Sequence, residues 1–376
     1  MKKYFLALAT FSGTIIGVGL FGLPYVTLKA GVVPVLFYFA LITVVMIISH
    51  LIFGEICLRT LEQRRLPGYT EIYLGKKYKI IPAISNSIGL FGANLAYIII
   101  GGGFLGNLLL PVFGGNELIY LLIFFTTGSF IIYLGSKAIA RSELLSLIIF
   151  LVIFLFIFIK GSSFIEIDNF RLFTADFKSI LLPYGVILFS LSGMSIVPEA
   201  REILGKNGKL LKSLLITGTL LPAIVYLFFI VLILGTSGIL TTEDALSGLQ
   251  PILGPNILIV GFLFGIITTF TSYISIGLTL KKIFWYDLKF HHFESWVIAT
   301  FVPIILYFVG LKDFIRIIAF TGAVTLGIDI ILIYIIYLKA RVKSERIPEY
   351  KIKIPMSIFY ILIALLLFGI TTQFIL

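Results

Sequence analysis

The first apolar segment of the chain, residues 4–28, contains residues that interrupt a helix. Four glycines and one proline fall within the twelve residues Gly13–Pro24. Glycine costs about 1 kcal/mol in a helix interior, and proline costs about 3 kcal/mol. In a bilayer, backbone groups freed by such a break must be satisfied by protein or by a water-lined cavity. The stretch therefore predicts a broken membrane helix, which is a candidate binding site for a small polar solute.

A second apolar segment, residues 179–203, carries a similar interruption. Its stretch Ser190–Pro198 contains three serines, one glycine and one proline. Serine competes for backbone hydrogen bonds, glycine loosens the helix, and proline removes a donor. Small residues also form close-packing surfaces on membrane helices, which is the competing interpretation. Two interruptions of one kind in well-separated segments favour a pair of broken helices.

The ends of two broken helices offer complementary backbone groups. A helix that restarts near Gly17 exposes amide donors at its positive end, and these suit a carboxylate. Carbonyls left unpaired at residues 12–14 and 189–190 are acceptors for an ammonium group. An α-amino acid is the simplest common solute that carries both groups. The residues predicted to bind it through this backbone are Gly13, Thr14, Gly17, Val18, Gly19, Ser190, Ser192 and Gly193.

Selectivity for the solute's side chain depends on the residues that face the gap between the breaks. We expect these residues to be Phe189, Met194, Tyr97 and Phe320. They favour a solute with an apolar or aromatic side chain. Because the chain contains 36 phenylalanines, most of which must face lipid or neighbouring helices, simple packing is the competing interpretation for each of them.

The composition indicates that these residues lie in a membrane protein. The chain is 59% hydrophobic and has a mean hydropathy of +1.13, above the roughly half-apolar composition of soluble domains. A bilayer-spanning helix needs about 20 apolar residues. The sequence therefore predicts an all-α polytopic membrane protein. Its transmembrane helices, about 11 in number, are expected at residues 4–28, 32–58, 80–112, 117–135, 143–160, 179–203, 211–235, 254–281, 294–310, 313–338 and 355–375.

The positive charges indicate which loops face the cytoplasm. The net charge is +11 at pH 7, and if the N-terminus is cytoplasmic, 23 of the 29 Lys and Arg residues lie on the inner side. This asymmetry follows the positive-inside rule. We therefore expect a protein of the cytoplasmic membrane with an inner N-terminus and an outer C-terminus. The basic excess is then a topology signal, and no nucleic-acid partner is expected.

The sequence lacks the common motifs of catalysis and cofactor binding. Cys57 is the only cysteine, and the histidines lack metal-ligand spacing with carboxylates. The H-E-x-x-H, G-x-x-x-x-G-K-[ST] and G-x-S-x-G patterns are missing as well. We therefore expect neither an enzyme nor a cofactor other than a coupling ion.

Two parts of the chain match each other in opposite orientation. Residues 1–160 and 179–338 each begin with a broken span, and the equivalent loops 59–79 and 236–253 carry opposite charge. Five spans per repeat would place equivalent loops on opposite sides of the membrane. The sequence predicts a single transmembrane domain of two inverted repeats, with residues 355–375 as an extra C-terminal helix.

Three motifs resemble those of one transporter family. They are the glycine-rich stretch 13–25, the aromatic-then-glycine run 96–103 and the Thr-Ser-aromatic motif 271–278. In these motifs the chain resembles the amino acid/auxin permease branch of the amino acid–polyamine–organocation superfamily. Within that branch it looks most like the bacterial hydroxy/aromatic amino acid permeases. The resemblance covers the first ten spans in order.

The resemblance implies a five-plus-five inverted-repeat fold, with substrate held between broken spans 1 and 6 and moved by alternating access. It also implies amino acid substrates driven by sodium or protons. For sodium it points to Thr271 and Ser272, together with the backbone near Gly13 and Ile16. Hydroxyls in membrane helices also bond their own helix carbonyls, which is the competing interpretation.

A proton would instead need a titratable group in the membrane core. Asp329 lies about nine residues, or roughly 13 Å, from the inner end of its span. Glu199 follows the second break, where it could otherwise pair with Arg201 or cap a helix. His50 and Glu55 lie towards the inner end of the second span. Sodium and proton coupling are both left open.

The expected function is secondary active transport of an apolar or aromatic amino acid. The alternatives are a same-fold carrier of a betaine, polyamine or nucleobase, and a membrane enzyme or structural partner. A polyamine carrier would need several buried carboxylates, for which only Glu199 and Asp329 qualify. The expected partners are a small-molecule amino acid and the lipid bilayer, while transport direction and oligomeric state stay open.

Overall fold

The described part of the chain is helical throughout. The computed structural model describes residues 2–135, 139–174 and 176–376. Within these ranges the chain forms helices, turns and loops, and no β-strand. The side chains of residues 2, 139–147 and 150 lie outside the description. The side chains of residues 136–142, which connect the predicted spans 117–135 and 143–160, therefore lie outside it as well.

The α-helices are numbered here in chain order. They are α1 (Lys2–Ile15), α2 (Gly19–Ala30), α3 (Val32–Arg59), α4 (Leu66–Leu74), α5 (Ile80–Phe113), α6 (Glu117–Leu134), α7 (Ile139–Gly161), α8 (Phe177–Ser190), α9 (Val197–Leu204), α10 (Leu211–Ser237), α11 (Gln250–Leu253), α12 (Pro255–Lys282), α13 (His292–Phe308), α14 (Phe314–Phe320), α15 (Gly327–Val342) and α16 (Met356–Thr372).

The long apolar helices account for the predicted spans. Within the described residues, seven stretches are long and apolar enough to cross a bilayer, and α1 with α2 forms an eighth span that bends by 45° at its break. Three shorter apolar helices lie at the remaining predicted spans: Leu151–Phe164, His292–Phe308 and Met356–Thr372. The predicted all-helical, polytopic architecture is confirmed for the described residues.

Span 1 breaks later than the sequence suggested. The prediction ended its first half near Gly13 and began its second near Gly17, whereas the break falls at residues 16–18. The reason is local hydrogen bonding. The Ile16 N–H still donates to the Ser12 carbonyl at 2.9 Å, so α1 continues past its first glycine.

Span 6 breaks between α8 and α9. A 3₁₀ turn, Met194–Ile196, separates these helices, and Pro198 lies in the first turn of α9. Proline is tolerated there because the first N–H groups of a helix have no intrahelical partner. The serine- and glycine-rich residues before the proline therefore form the break.

Span 10 contains an interruption that the sequence did not suggest. A π-helical segment, Thr321–Leu326, joins α14 to α15. Segments of this kind inside α-helices often mark functional sites. This one packs against α8, where the Gly322 backbone approaches the Gly185 carbonyl so closely that a Cβ atom at Gly322 would overlap it.

The two broken spans lie side by side within the bundle. α2 packs along α8, while α1 packs against α7, α9 and α10. α3 contacts α8 and α10, and α5 contacts α12 and the π-helical segment of span 10. The breaks of spans 1 and 6 therefore meet inside the protein. The repeat boundaries 1–160 and 179–338 stay a prediction.

Candidate substrate-binding site

A cavity lies between the breaks of spans 1, 6 and 10. Its volume is about 70 Å³, several times the roughly 10–15 Å³ that one water molecule needs. Its lining residues come from the two broken spans, α5, α12 and span 10. They are Thr14, Ile15, Gly17, Gly19, Asn86, Gly89, Leu90, Ala93, Tyr97, Phe189, Ser190, Ser192, Met194, Ser195, Ile276, Thr321, Thr325, Leu326 and Asp329.

The structure brings most of the predicted substrate residues to this cavity. The predicted residues that line it are Thr14, Gly17, Gly19, Tyr97, Phe189, Ser190, Ser192 and Met194. Four others do not reach it: Gly13, Val18, Gly193 and Phe320. Of these, Phe320 is 46% exposed and lines a separate vestibule with Tyr25 and Lys29.

On one wall of the cavity, sequence reasoning identified Asp329 but missed its neighbours. Thr321, Thr325 and Asp329 follow each other at intervals of four residues in span 10, and all three line the cavity. On α5, Asn86 and Ala93 lie on the cavity face that ends at Tyr97. This spacing of small and polar residues in apolar helices is the signal that could have identified both faces.

The donor end of the cavity is the beginning of α2. This helix starts at Gly19 without a side-chain cap. The Leu20 and Phe21 N–H groups donate to the Gly17 and Val18 carbonyls at 3.2 and 3.1 Å, so the Gly19 N–H and the positive end of the helix dipole form the donor end. A Cβ atom at Gly19 would lie 2.9 Å from the Ser190 Cα. The missing side chain therefore lets the start of α2 approach the end of α8.

The acceptor end is formed by the last residues of α1 and α8. Ile15 ends α1 and Ser190 ends α8, and both line the cavity. Carbonyls at helix C-termini carry partial negative charge. The acceptor region in span 1 is shifted from the predicted residues 12–14, because the Ser12 carbonyl already accepts the Ile16 N–H.

Aromatic and apolar side chains form the middle of the cavity. Tyr97 is 4% exposed, and its hydroxyl contacts the Ser272 side chain and the Val18 backbone. A Cβ atom at Gly17 would overlap this hydroxyl. Phe189 and Met194 line the same space, so an apolar or aromatic ligand side chain would meet matching surfaces.

His50 supports the break of span 6 from α3. Gly193 N–H donates to His50 Nε2 at 3.0 Å, and His50 Nδ1 lies 2.9 Å from the Thr219 hydroxyl. Because Nε2 accepts, the proton of the neutral ring lies on Nδ1 and is donated to Thr219. That hydroxyl in turn donates to the Leu215 carbonyl at 2.7 Å. The neutral imidazole thus links the break to α10.

Replacing His50 by leucine should lower the rate of solute uptake by about tenfold, because an unpaired buried N–H at Gly193 costs roughly 1–3 kcal/mol. Glutamine can accept the same hydrogen bond, so His50→Gln should retain most of the activity. The measurement is initial uptake in membranes that contain equal amounts of each variant. Equal uptake by His50→Leu and the unmodified protein would contradict this role.

Asp329 is a buried carboxylate in the cavity wall. It is 2% exposed and accepts hydrogen bonds from the Ser85 hydroxyl and from Asn86 Nδ2, the latter at 3.1 Å. Both donors are neutral groups on α5. The ion pairs formed among the described residues do not include it. Its ionised form therefore lacks a counter-charge, which is costly in a membrane interior.

The other acidic candidates have charged partners. Glu199 pairs with Arg65 at 2.6 Å rather than with the neighbouring Arg201. Glu55 pairs with Arg59 at 2.6 Å and accepts the Ile352 N–H at 2.6 Å. Both carboxylates link separate parts of the chain, and neither lines the substrate cavity.

The hydroxyls predicted to bind sodium lie on α12. The Thr271 hydroxyl donates to carbonyls of its own helix, those of Ile267 at 3.0 Å and Thr268 at 3.2 Å. The Ser272 side chain contacts the Tyr97 hydroxyl. Tyr97 thus lies between Ser272 and the break of span 1, and the sodium site at Gly13, Ile16, Thr271 and Ser272 stays a prediction.

The cavity extends towards the side of the molecule that carries the basic loop 59–79. A second cavity shares Asn86, Met194 and Asp329 with it and is also lined by Arg65. The Arg65–Glu199 ion pair lies at this end. Further along α2, Gly22 packs against the apolar side chains of Phe314, Ile315 and Ile318.

Comparison with known sequences identifies the chain's relatives. The model of the tryptophan/tyrosine permease family matches residues 1–374. A curated relative, "Tyrosine-specific transport system 1" of Haemophilus influenzae, is 27% identical over 290 residues. That match covers 72% of this chain and 70% of the relative.

Comparison with solved structures identifies the fold. MhsT, solved in complex with L-phenylalanine, is 14% identical, with a TM-score of 0.70 over 100% of this chain and 97% of MhsT. A second likeness is to Mhp1, a nucleobase-cation-symport-1 family transporter, solved in a closed conformation with bromovinylhydantoin bound. Mhp1 is 13% identical, and its TM-score is 0.69 over 98% of this chain and 90% of Mhp1. These likenesses confirm the predicted inverted-repeat transporter fold.

Proposed function

We propose that the chain carries an aromatic amino acid through the cavity between its broken helices, because it belongs to the tryptophan/tyrosine permease family. Family and relatives make it an amino acid transporter rather than an enzyme. The observation that carries the proposal is the composition of one cavity. An uncapped helix start and two helix C-termini lie close together in it, and aromatic side chains line the same space.

Each part of an aromatic amino acid has a counterpart in this cavity. The α-carboxylate would bind the first N–H groups of α2 at Gly19, and the ammonium group would bind the carbonyls of Ile15 and Ser190. The ring would lie against Tyr97 and Phe189. The relative's tyrosine specificity and the L-phenylalanine bound to MhsT support this substrate class.

The proposed location is the cytoplasmic membrane, with the N-terminus on the inner side. Alternating access would open the cavity to each side in turn. Opening inwards would separate Arg65 from Glu199, and opening outwards would separate Gly22 from α14. The distribution of positive charge supports this orientation.

We propose protons as the coupling ion and Asp329 as the group that binds them. A carboxylate without a counter-charge becomes neutral when it takes up a proton, and this removes the cost of its burial. Asp329 lines both the substrate cavity and its extension, so a proton and a substrate would share one pathway. Sodium is the alternative coupling ion, since the Thr271 hydroxyl donates to its own helix and keeps the oxygen lone pairs that such an ion would need.

The test is uptake by the purified protein in liposomes. Labelled tryptophan, tyrosine and phenylalanine should be compared with leucine, lysine, a betaine, a polyamine and a nucleobase, under separately imposed proton and sodium gradients. We expect saturable uptake of an aromatic amino acid that an inward proton gradient stimulates. Lack of uptake of every amino acid would overturn the proposed function, and stimulation by sodium alone would overturn the coupling proposal.

A further inference from the structure

The carbonyls at the ends of α1 and α8 share a partner outside the cavity. Tyr226, a fully buried residue of α10, places its hydroxyl 2.5 Å from the Ile15 carbonyl and 3.0 Å from the Ser190 carbonyl. These are the last residues of the two half-helices. One phenol group therefore bridges the breaks of spans 1 and 6.

The bridge joins like ends of two helix dipoles. Both carbonyls carry the partial negative charge of a helix C-terminus, and they repel each other unless a positive group lies between them. A phenol has one proton, so it can donate to one of the two carbonyls at a time. The pair therefore keeps acceptor capacity that a second, positively charged donor could use.

Tyr226 contacts the two carbonyls without lining the cavity. Ile15 and Ser190 line the cavity, whereas Tyr226 is not among its lining residues. α10 packs against α1, α2 and α3, and the Tyr226 ring contacts Phe39 of α3 edge-on at 6.5 Å. The Ile15 carbonyl also accepts the Gly17 N–H at 2.7 Å. This N–H and the single Tyr226 proton use two of the four lone pairs on the two carbonyl oxygens, which leaves acceptor capacity for a ligand in the cavity.

We infer that Tyr226 is a positioning residue for the substrate's ammonium group. Its hydroxyl holds the two half-helix ends at a fixed spacing, and so aims both carbonyls at one ammonium position in the cavity. The inference rests on the proposed amino acid substrate and adds a residue to its recognition. Tyr226 would act through the carbonyls and would not touch the substrate itself.

The test compares two ligands in two proteins. The ligands are the transported aromatic amino acid and its analogue without the α-amino group, each measured as an inhibitor of labelled substrate binding to purified protein. In the unmodified protein, we expect the analogue to bind roughly tenfold to a hundredfold more weakly, which is the effect of one lost charge-assisted hydrogen bond. In Tyr226→Phe, the affinity for the amino acid should fall to nearly the affinity for its analogue.

The difference between the two ligands separates positioning from general damage. A purely structural defect would lower the affinity for both ligands by the same factor and leave the ratio of the two affinities unchanged. That result would overturn the inference. Tyr273→Phe is the matched control, because the buried Tyr273 hydroxyl lacks a hydrogen-bond partner among the described residues. This control variant should show the same ratio of the two affinities as the unmodified protein. If the unmodified protein binds no aromatic amino acid, the proposed function fails instead.

Discussion

Replacing Gly19 by alanine should reduce transport by more than about tenfold while the protein still inserts into the membrane. The added methyl group would lie 2.9 Å from the Ser190 Cα, a backbone atom that cannot turn away. Overpacking of this kind typically costs about 1–3 kcal/mol, and here it would separate the start of α2 from the end of α8. The measurement is initial uptake, with membrane expression and size-exclusion profiles recorded in parallel.

A glycine in open space gives the matched control for this substitution. Gly103 of α5 has no heavy atom within 4 Å of the position that a Cβ would take, so Gly103→Ala should transport at the normal rate. Gly17→Leu should also abolish uptake, because its side chain would enter the space of the Tyr97 hydroxyl. Normal transport by Gly19→Ala would mean that the breaks need not meet as they do in this structure.

Replacing Asp329 by asparagine should uncouple transport from the proton gradient. Asparagine keeps the size of the side chain and an oxygen that can accept from Ser85 or Asn86, but it cannot bind a proton near neutral pH. With one proton per substrate, a gradient of about one pH unit supports roughly tenfold accumulation. We expect Asp329→Asn to lose this accumulation and to retain exchange of labelled for unlabelled substrate.

The control for the Asp329 experiment removes a carboxylate elsewhere. Glu117 lies exposed at the start of α6, and Glu117→Gln should accumulate substrate as the unmodified protein does. Accumulation by Asp329→Asn at the normal level, with an unchanged pH dependence, would exclude Asp329 as the proton-binding group.

The two helix breaks were predictable because their causes are local. Glycine and serine lower the local stability of a helix, and each of the two stretches also contains a proline, so both breaks could be located to within a few residues. The break of span 1 shifted from Gly13 to residues 16–18 because one further hydrogen bond, from Ile16 to Ser12, still forms. Whether a single bond of this kind forms depends on packing.

The cavity walls were only partly predictable, because the spacing of polar residues indicates a helix face but not what that face contacts. Nothing in the local sequence distinguishes Phe320, which is 46% exposed, from Phe189, which lines the cavity. The π-helical segment Thr321–Leu326 depends on the approach of Gly322 to Gly185, two residues far apart in the chain. Contacts of this kind are set by tertiary structure, so residues such as Thr321 could be assigned only from the fold.

The central claim is that a zwitterionic substrate lies between the breaks of spans 1 and 6. The most direct test is an experimental structure of the purified protein with the transported aromatic amino acid bound. We expect the carboxylate at the N–H groups that begin α2, the ammonium group at the carbonyls of Ile15 and Ser190, and the ring beside Tyr97 and Phe189. A substrate bound elsewhere, with this cavity free of it at saturating concentration, would contradict the account.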